Sequence, residues 1–92
     1  MREARIEKYL ADKTEQYKGK CIKCSSFGFN GLPDRMVLMK GRVYFVELKA
    51  PGKKTRKLQA YVHDLFRSHG VPVYVIDTMK GVDDFIDEIC TS

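Results

Sequence analysis

Two short runs of strand-forming residues, Arg35–Met39 and 43–48, are joined by nothing longer than Lys40-Gly41-Arg42. A joint that short, with a glycine in it, dictates a β-hairpin, because neighbouring antiparallel strands need a tight reversal with left-handed backbone. A helix-period segment follows, with Leu58, Tyr61, Val62, Leu65 and Phe66 at i, i+3, i+4, i+7 and i+8. Thr55 is the expected N-cap of that helix, and Gly70 with Pro72 its end. The continuous apolar run Val73–Ile76 then reads as a strand buried on both faces.

Upstream of the hairpin, Ile6, Tyr9, Leu10 and Tyr17 form one stripe of a helix over residues 2–17, ended by Gly19. A short strand over 20–25 and a glycine-containing loop over 26–33 lead to Asp34. A basic turn spans 50–54, and a last amphipathic helix from about Gly81 carries Val82, Phe85, Ile86 and Ile89. The order αβββαβα, with an antiparallel hairpin and a later strand reached through a helix, predicts an α/β fold with a mixed sheet flanked by helices. At 92 residues and 43% hydrophobic content there is material for one core, so residues 1–92 are expected to form a single domain.

Charge is unevenly distributed. Residues 77–92 hold one lysine against five acids, a balance of −4, while the rest of the chain carries sixteen basic and seven acidic residues, a balance of +9. A field of that sign attracts polyanions, and nucleic acid is the expected partner. No apolar run approaches the roughly 20 residues of a membrane span, and no apolar segment follows the charged start of the chain. With an odd number of cysteines as well, an intracellular location is expected. Cys21 and Cys24 have the spacing of a zinc or redox pair. On a strand, however, i and i+3 point to opposite faces, and no second pair follows, so neither role is expected.

The chemistry is concentrated around Asp34 and the segment Glu47-Leu48-Lys49. Strand alternation puts Glu47 and Lys49 on one face and Tyr44, Val46 and Leu48 on the other. A turn centred on Lys40-Gly41 sets Asp34 directly across from Glu47. One centred on Gly41-Arg42 sets it opposite Lys49 and diagonal to Glu47, still within about 5–8 Å. Two adjacent carboxylates repel unless a cation lies between them, and oxygen ligands of this kind suit Mg²⁺ or Mn²⁺. Such an ion polarises a phosphoryl oxygen, and Lys49 is suited to orient a water molecule or offset charge on a phosphoryl transition state. Lys53, Lys54, Arg56 and Lys57 follow closely enough to hold flanking phosphates, with Arg35 beside Asp34 as a further contact. Phe27 and Phe29 could stack on bases or pack into a core or a subunit contact.

The ordered set Glu3, Glu7, Gly31-Leu32-Pro33-Asp34-Arg35, Val43 through Lys53 (VYFVELKAPGK), Gln59 and Gly70 through Ile76 (GVPVYVI) resembles the virus-type replication-repair nuclease family, VRR-NUC, of the PD-(D/E)XK superfamily. The resemblance runs through nearly the whole chain and looks like a stand-alone member of phage or viral character. It implies a restriction-endonuclease-like core in which Asp34, Glu47 and the Leu48 backbone carbonyl hold the metal, Lys49 assists the water, and Gln59 supports the site. A carboxylate of the first helix completes such sites. Glu3 lies nearer the apolar stripe on a helical wheel than Glu7, and both are kept as candidates. His63, one turn beyond Gln59, is expected to be structural or to contact phosphate.

The activity implied is that of a Mg²⁺- or Mn²⁺-dependent endodeoxyribonuclease acting on branched DNA as a junction resolvase does, with a homodimer of two sites expected. A phage-encoded chain of this kind would act in the host-cell cytoplasm. The competing expectation is a non-catalytic DNA-binding module on the same fold.

Overall fold

The computed structural model describes residues 2–25 and 29–91. Phe27, for which base stacking and packing into a core or subunit contact were the alternatives, and the first part of the 26–33 loop lie outside them. Helix α1 spans Glu3–Gln16, followed by strands β1 (Lys20–Lys23), β2 (Arg35–Met39) and β3 (Arg42–Leu48). Helix α2 (Lys57–Ser68), strand β4 (Val73–Ile76) and helix α3 (Met79–Thr91) complete the expected order. The four strands make one sheet in the order β1-β2-β3-β4, with β1, β2 and β3 antiparallel and β4 parallel to β3. The fold is thus α/β with a mixed sheet. Among the described residues no helix is long and apolar enough to cross a membrane.

The hairpin turn consists of Lys40 and Gly41, with φ of 52° and 78°. Two successive left-handed residues make the turn whose twist matches that of the flanking strands, and they bring Arg42 into β3. The resulting register pairs Arg35 with Val46 and Met39 with Arg42. Of the two registers the sequence allows, this is the one that continues to Asp34 opposite Glu47.

Helices α1 and α3 cover one face of the sheet. Ile6 and Leu10 from α1 meet Val37, Val46 and Leu48 from the strands and Phe85, Ile86 and Ile89 from α3. Phe85 stands edge-on to Tyr74 and Tyr44, with ring centroids 4.8 and 6.0 Å away. Tyr9 donates its hydroxyl to Asp83 at 2.7 Å, tying α1 to α3. The end of α1 differs from expectation. Tyr17 lies beyond the helix and is exposed, and Thr14 takes the last buried position. Its hydroxyl donates to the Leu10 carbonyl at 2.7 Å, which satisfies the one polar atom burial would otherwise strand.

Helix α2 lies on the opposite face, where Phe66 packs edge-on against Phe45 at 4.9 Å. It is turned away from the orientation its apolar pattern predicts. Leu58 and Tyr61 are 52% and 65% exposed, whereas Val62 and His63 are buried. Its N-cap is Arg56, not Thr55. The cause is a polar partner on the sheet that helical periodicity cannot register. Strand β4 also departs from expectation, since it is an edge strand with Val75 44% exposed. Strand β1 stops at Lys23, short of the expected Ser25.

Gly19 closes the gap between α1 and the hairpin. A methyl group added there would meet the Leu38 carbonyl oxygen at 2.7 Å and the end of the Met39 side chain at 2.6 Å. The side chain can move, but the strand carbonyl cannot without disturbing the β1–β2 ladder. Gly19→Ala should therefore destabilise the protein by about 1–3 kcal/mol, the usual cost of overpacking. Thermal unfolding followed by circular dichroism measures it, and a melting temperature equal to that of the unmodified chain would contradict this account.

Candidate active site

Strand β3 carries the site because its two faces do different work. Tyr44, Val46 and Leu48 enter the core under α1 and α3, while Phe45 and Glu47 face α2. Lys49 follows the last strand residue, and its N–H still donates to the Ile76 carbonyl at 3.0 Å, so its backbone is held as firmly as the strand itself. The hairpin register brings Asp34, just before β2, across from Glu47. Asp34 Oδ2 accepts the Leu48 N–H at 2.8 Å, replacing the strand carbonyl that would otherwise pair there. Its own carbonyl accepts the Cys24 N–H at 2.9 Å.

The loop before Asp34 is pressed against α2. At Gly31, φ is 86°, and an added methyl group would lie 3.0 Å from Val62 and 3.1 Å from Leu58. Only glycine allows that backbone shape and that approach together. The buried Pro33 then leads directly into Asp34.

Gln59 reaches from α2 to the sheet and joins the other two members. Its Nε2 donates to Glu47 Oε2 at 2.7 Å, and its Oε1 accepts from Lys49 Nζ at 2.7 Å and from the Arg56 N–H at 3.3 Å. The reverse amide orientation would face donors with donors, so the partners fix it. Lys49 Nζ also lies 3.3 Å from Glu47 Oε2. Asp34, Glu47, Lys49 and Gln59, four of the residues singled out from sequence, therefore meet at one end of the sheet.

Glu47 is 1% exposed. Burial raises its carboxyl pKa above the ordinary value, the neighbouring Asp34 charge pushes the same way, and Lys49 and Gln59 oppose both. Its Oε2 is saturated by two donors. Its Oε1 is buried with no hydrogen-bond partner. An unpaired oxygen on a carboxylate whose charge is disfavoured, beside a second carboxylate, fits a divalent cation with oxygen coordination. Among the described residues no three His, Cys, Asp and Glu side chains converge as metal ligands. Asp34 and Glu47, with solvent and substrate oxygens, form a donor set that fits Mg²⁺ or Mn²⁺, which keep several non-protein ligands.

The first-helix acids differ in their surroundings. Glu7 is half-buried and accepts from Arg35 Nε at 2.6 Å, so that guanidinium, expected at a phosphate, is held by an acid. Glu3 is exposed in the first turn of α1, and neither acid joins Asp34 and Glu47 in a three-member ligand cluster. Lys53, Lys54, Arg56 and Lys57 are exposed along the turn and start of α2, without an ion pair among the described residues. Cys21, Cys24 and Cys90 are free thiols. Burial pushes the Cys21 and Cys24 pKa values up, which suits inert side chains rather than reactive ones.

His63, expected to be structural or to contact phosphate, lies inside the domain beside Glu47. It is 2% exposed, and its Nε2 lies 4.0 Å from Glu47 Oε1. Burial, with Arg67 and Lys49 nearby, lowers its pKa. Its spacing of four from Gln59 was the available signal, since two polar residues one turn apart share a helix face.

No family model matches the chain. A protein of Acyrthosiphon pisum secondary endosymbiont phage 1, named "Putative nuclease p44", is 39% identical over 79 residues, covering 85% of each chain. A solved structure of a VRR_NUC domain superposes with a TM-score of 0.86 at 36% identity, over 92% of this chain and 94% of that one. The chain belongs to the VRR-NUC nuclease family. For a VRR-NUC chain of this construction, cation binding should be visible without any substrate. Mn²⁺ at about one hundred times its dissociation constant should add about 2.7 kcal/mol of stability, roughly 10–20 °C in melting temperature. Asp34→Ala and Glu47→Ala should abolish that shift, and a shift retained by both variants would place the cation elsewhere.

Proposed function

We propose that this VRR-NUC chain is a metal-dependent endonuclease that hydrolyses DNA phosphodiester bonds, selectively in branched DNA. The observation that carries the reading is the buried, unpaired Oε1 of Glu47 beside Asp34, with an ammonium fixed next to the pair. A DNA-binding module gains nothing from two adjacent carboxylates facing a phosphate backbone, whereas a hydrolytic site requires a cation there.

Asp34, Glu47 and the Leu48 carbonyl would hold Mg²⁺ or Mn²⁺. When bound, such an ion stabilises charge on a phosphoryl oxygen and acidifies water. The remaining work belongs to the chain. Gln59 holds Lys49 Nζ by a hydrogen bond, so the ammonium is aimed before substrate arrives and costs no reorganisation during reaction. There it offsets negative charge developing on the phosphoryl group. Lys53, Lys54, Arg56 and Lys57 bind phosphates flanking the cut and carry no base preference. A two-fold dimer would present two such sites, as paired cuts across a junction require. The preference for branched substrates rests on analogy with the family.

Purified protein incubated with linear duplex, flap and four-way junction DNA, with Mg²⁺, Mn²⁺ or chelator, tests these statements together. Cutting should need the cation and favour the branched substrates; equal cutting of all three shapes would remove the branched-DNA preference. Binding without metal-dependent cutting would point to a non-catalytic module. Lys49→Ala should lower kcat by about 10²–10³-fold. Lys53→Ala and Lys54→Ala should instead weaken DNA binding and each reduce the salt dependence by about one counterion.

A further inference from the structure

His63 is the buried ionisable side chain for which the chemistry above has no use. It lies one turn after Gln59 on the sheet side of α2, and its Nε2 is buried without a hydrogen-bond partner. Glu47 Oε1 is the other buried side-chain atom in that condition among the described residues, and the two are 4.0 Å apart. A residue selected for packing alone would be an apolar one, which strands no nitrogen. The separation is too long for a direct hydrogen bond. It is of the order that one water molecule spans between two polar groups.

We propose that His63 is a positioning residue of the active site, whose Nε2 shares one water molecule with Glu47 Oε1 and so fixes the carboxylate at the oxygen that Gln59 does not hold. Glu47 is then gripped at both oxygens, at Oε2 by Gln59 and Lys49 and at Oε1 through His63. A carboxylate oxygen has two lone pairs, so Oε1 can hold this water and still face a cation. The role assigned to His63 rests on the nuclease reading for its catalytic consequence, but the shared water does not.

The water is tested in metal-free protein by NMR, where a His63 ring proton should give a cross-peak to a long-lived bound water. Its absence would overturn the proposal, whatever the protein does to DNA. The consequence is tested with His63→Leu, which removes both ring nitrogens, and His63→Gln, which returns a polar end. Mn²⁺ affinity, read from the free-ion electron paramagnetic resonance signal, should weaken about tenfold in His63→Leu and stay within about threefold of the unmodified value in His63→Gln. In cleavage, kcat should fall about tenfold in the leucine variant, with KM for DNA unchanged. Equal losses in both variants, or full Mn²⁺ affinity and kcat in His63→Leu, would reduce the residue to packing. Should His63→Leu not fold, the glutamine variant and the water cross-peak decide. A wild-type protein that takes up no Mn²⁺ would instead defeat the nuclease reading, and with it the consequence for kcat.

Discussion

A carboxylate taken out of water inside a small domain has to be compensated, and the compensation given to Glu47 organises everything on the α2 side of the sheet. Gln59 and Lys49 supply charge-assisted hydrogen bonds to one of its oxygens, and those bonds set the rotation of α2 about its own axis. The helix gives up burial of Leu58 and Tyr61 to turn Gln59 and His63 inward. Each of those apolar side chains would contribute up to about 1.5–3 kcal/mol if fully buried. A fold selected only for stability would have rotated the helix the other way. That loss accompanies the turning of polar side chains toward Glu47.

The same carboxylate depends on features far along the chain. The two left-handed residues at the hairpin tip choose the register, and the register determines whether Asp34 or its neighbour stands opposite Glu47. Gly31 lets the preceding loop approach α2, and the Leu48 N–H holds the Asp34 side chain at the strand end. The parallel strand β4 supplies the Ile76 carbonyl that anchors the Lys49 backbone. A change at any of these points would shift a carboxylate or an ammonium without touching either.

The hairpin, the helix-strand alternation and the meeting of Asp34, Glu47 and Lys49 at one end of the sheet were legible in the sequence because each is a local pattern: a short joint, a repeat of two, a pair of charges on one face. Even the register was narrowed to two choices by the length of the joint. What was not legible were decisions taken between elements. The orientation of α2 could not be read from Leu58, Tyr61 and Leu65, since their periodicity records apolar positions and not a polar partner on a distant strand. Val75 was expected to be covered because its run is wholly apolar, but whether a strand lies at a sheet edge depends on topology. Thr14 replaced Tyr17 in the core because a threonine can satisfy its hydroxyl on its own helix.

The pairing of α1 with α3 across one face has an electrical result. The acids of α3 lie on the side of the sheet away from α2, and Asp83 is met there by Tyr9 and Lys13. The unpaired lysines and arginine of the turn before α2 stand beside the carboxylate end of β3, on the other side. The acids of α3 and these basic residues therefore lie on opposite sides of the sheet. On the function proposed above, such a division of charge would turn an approaching polyanion toward the basic side before contact.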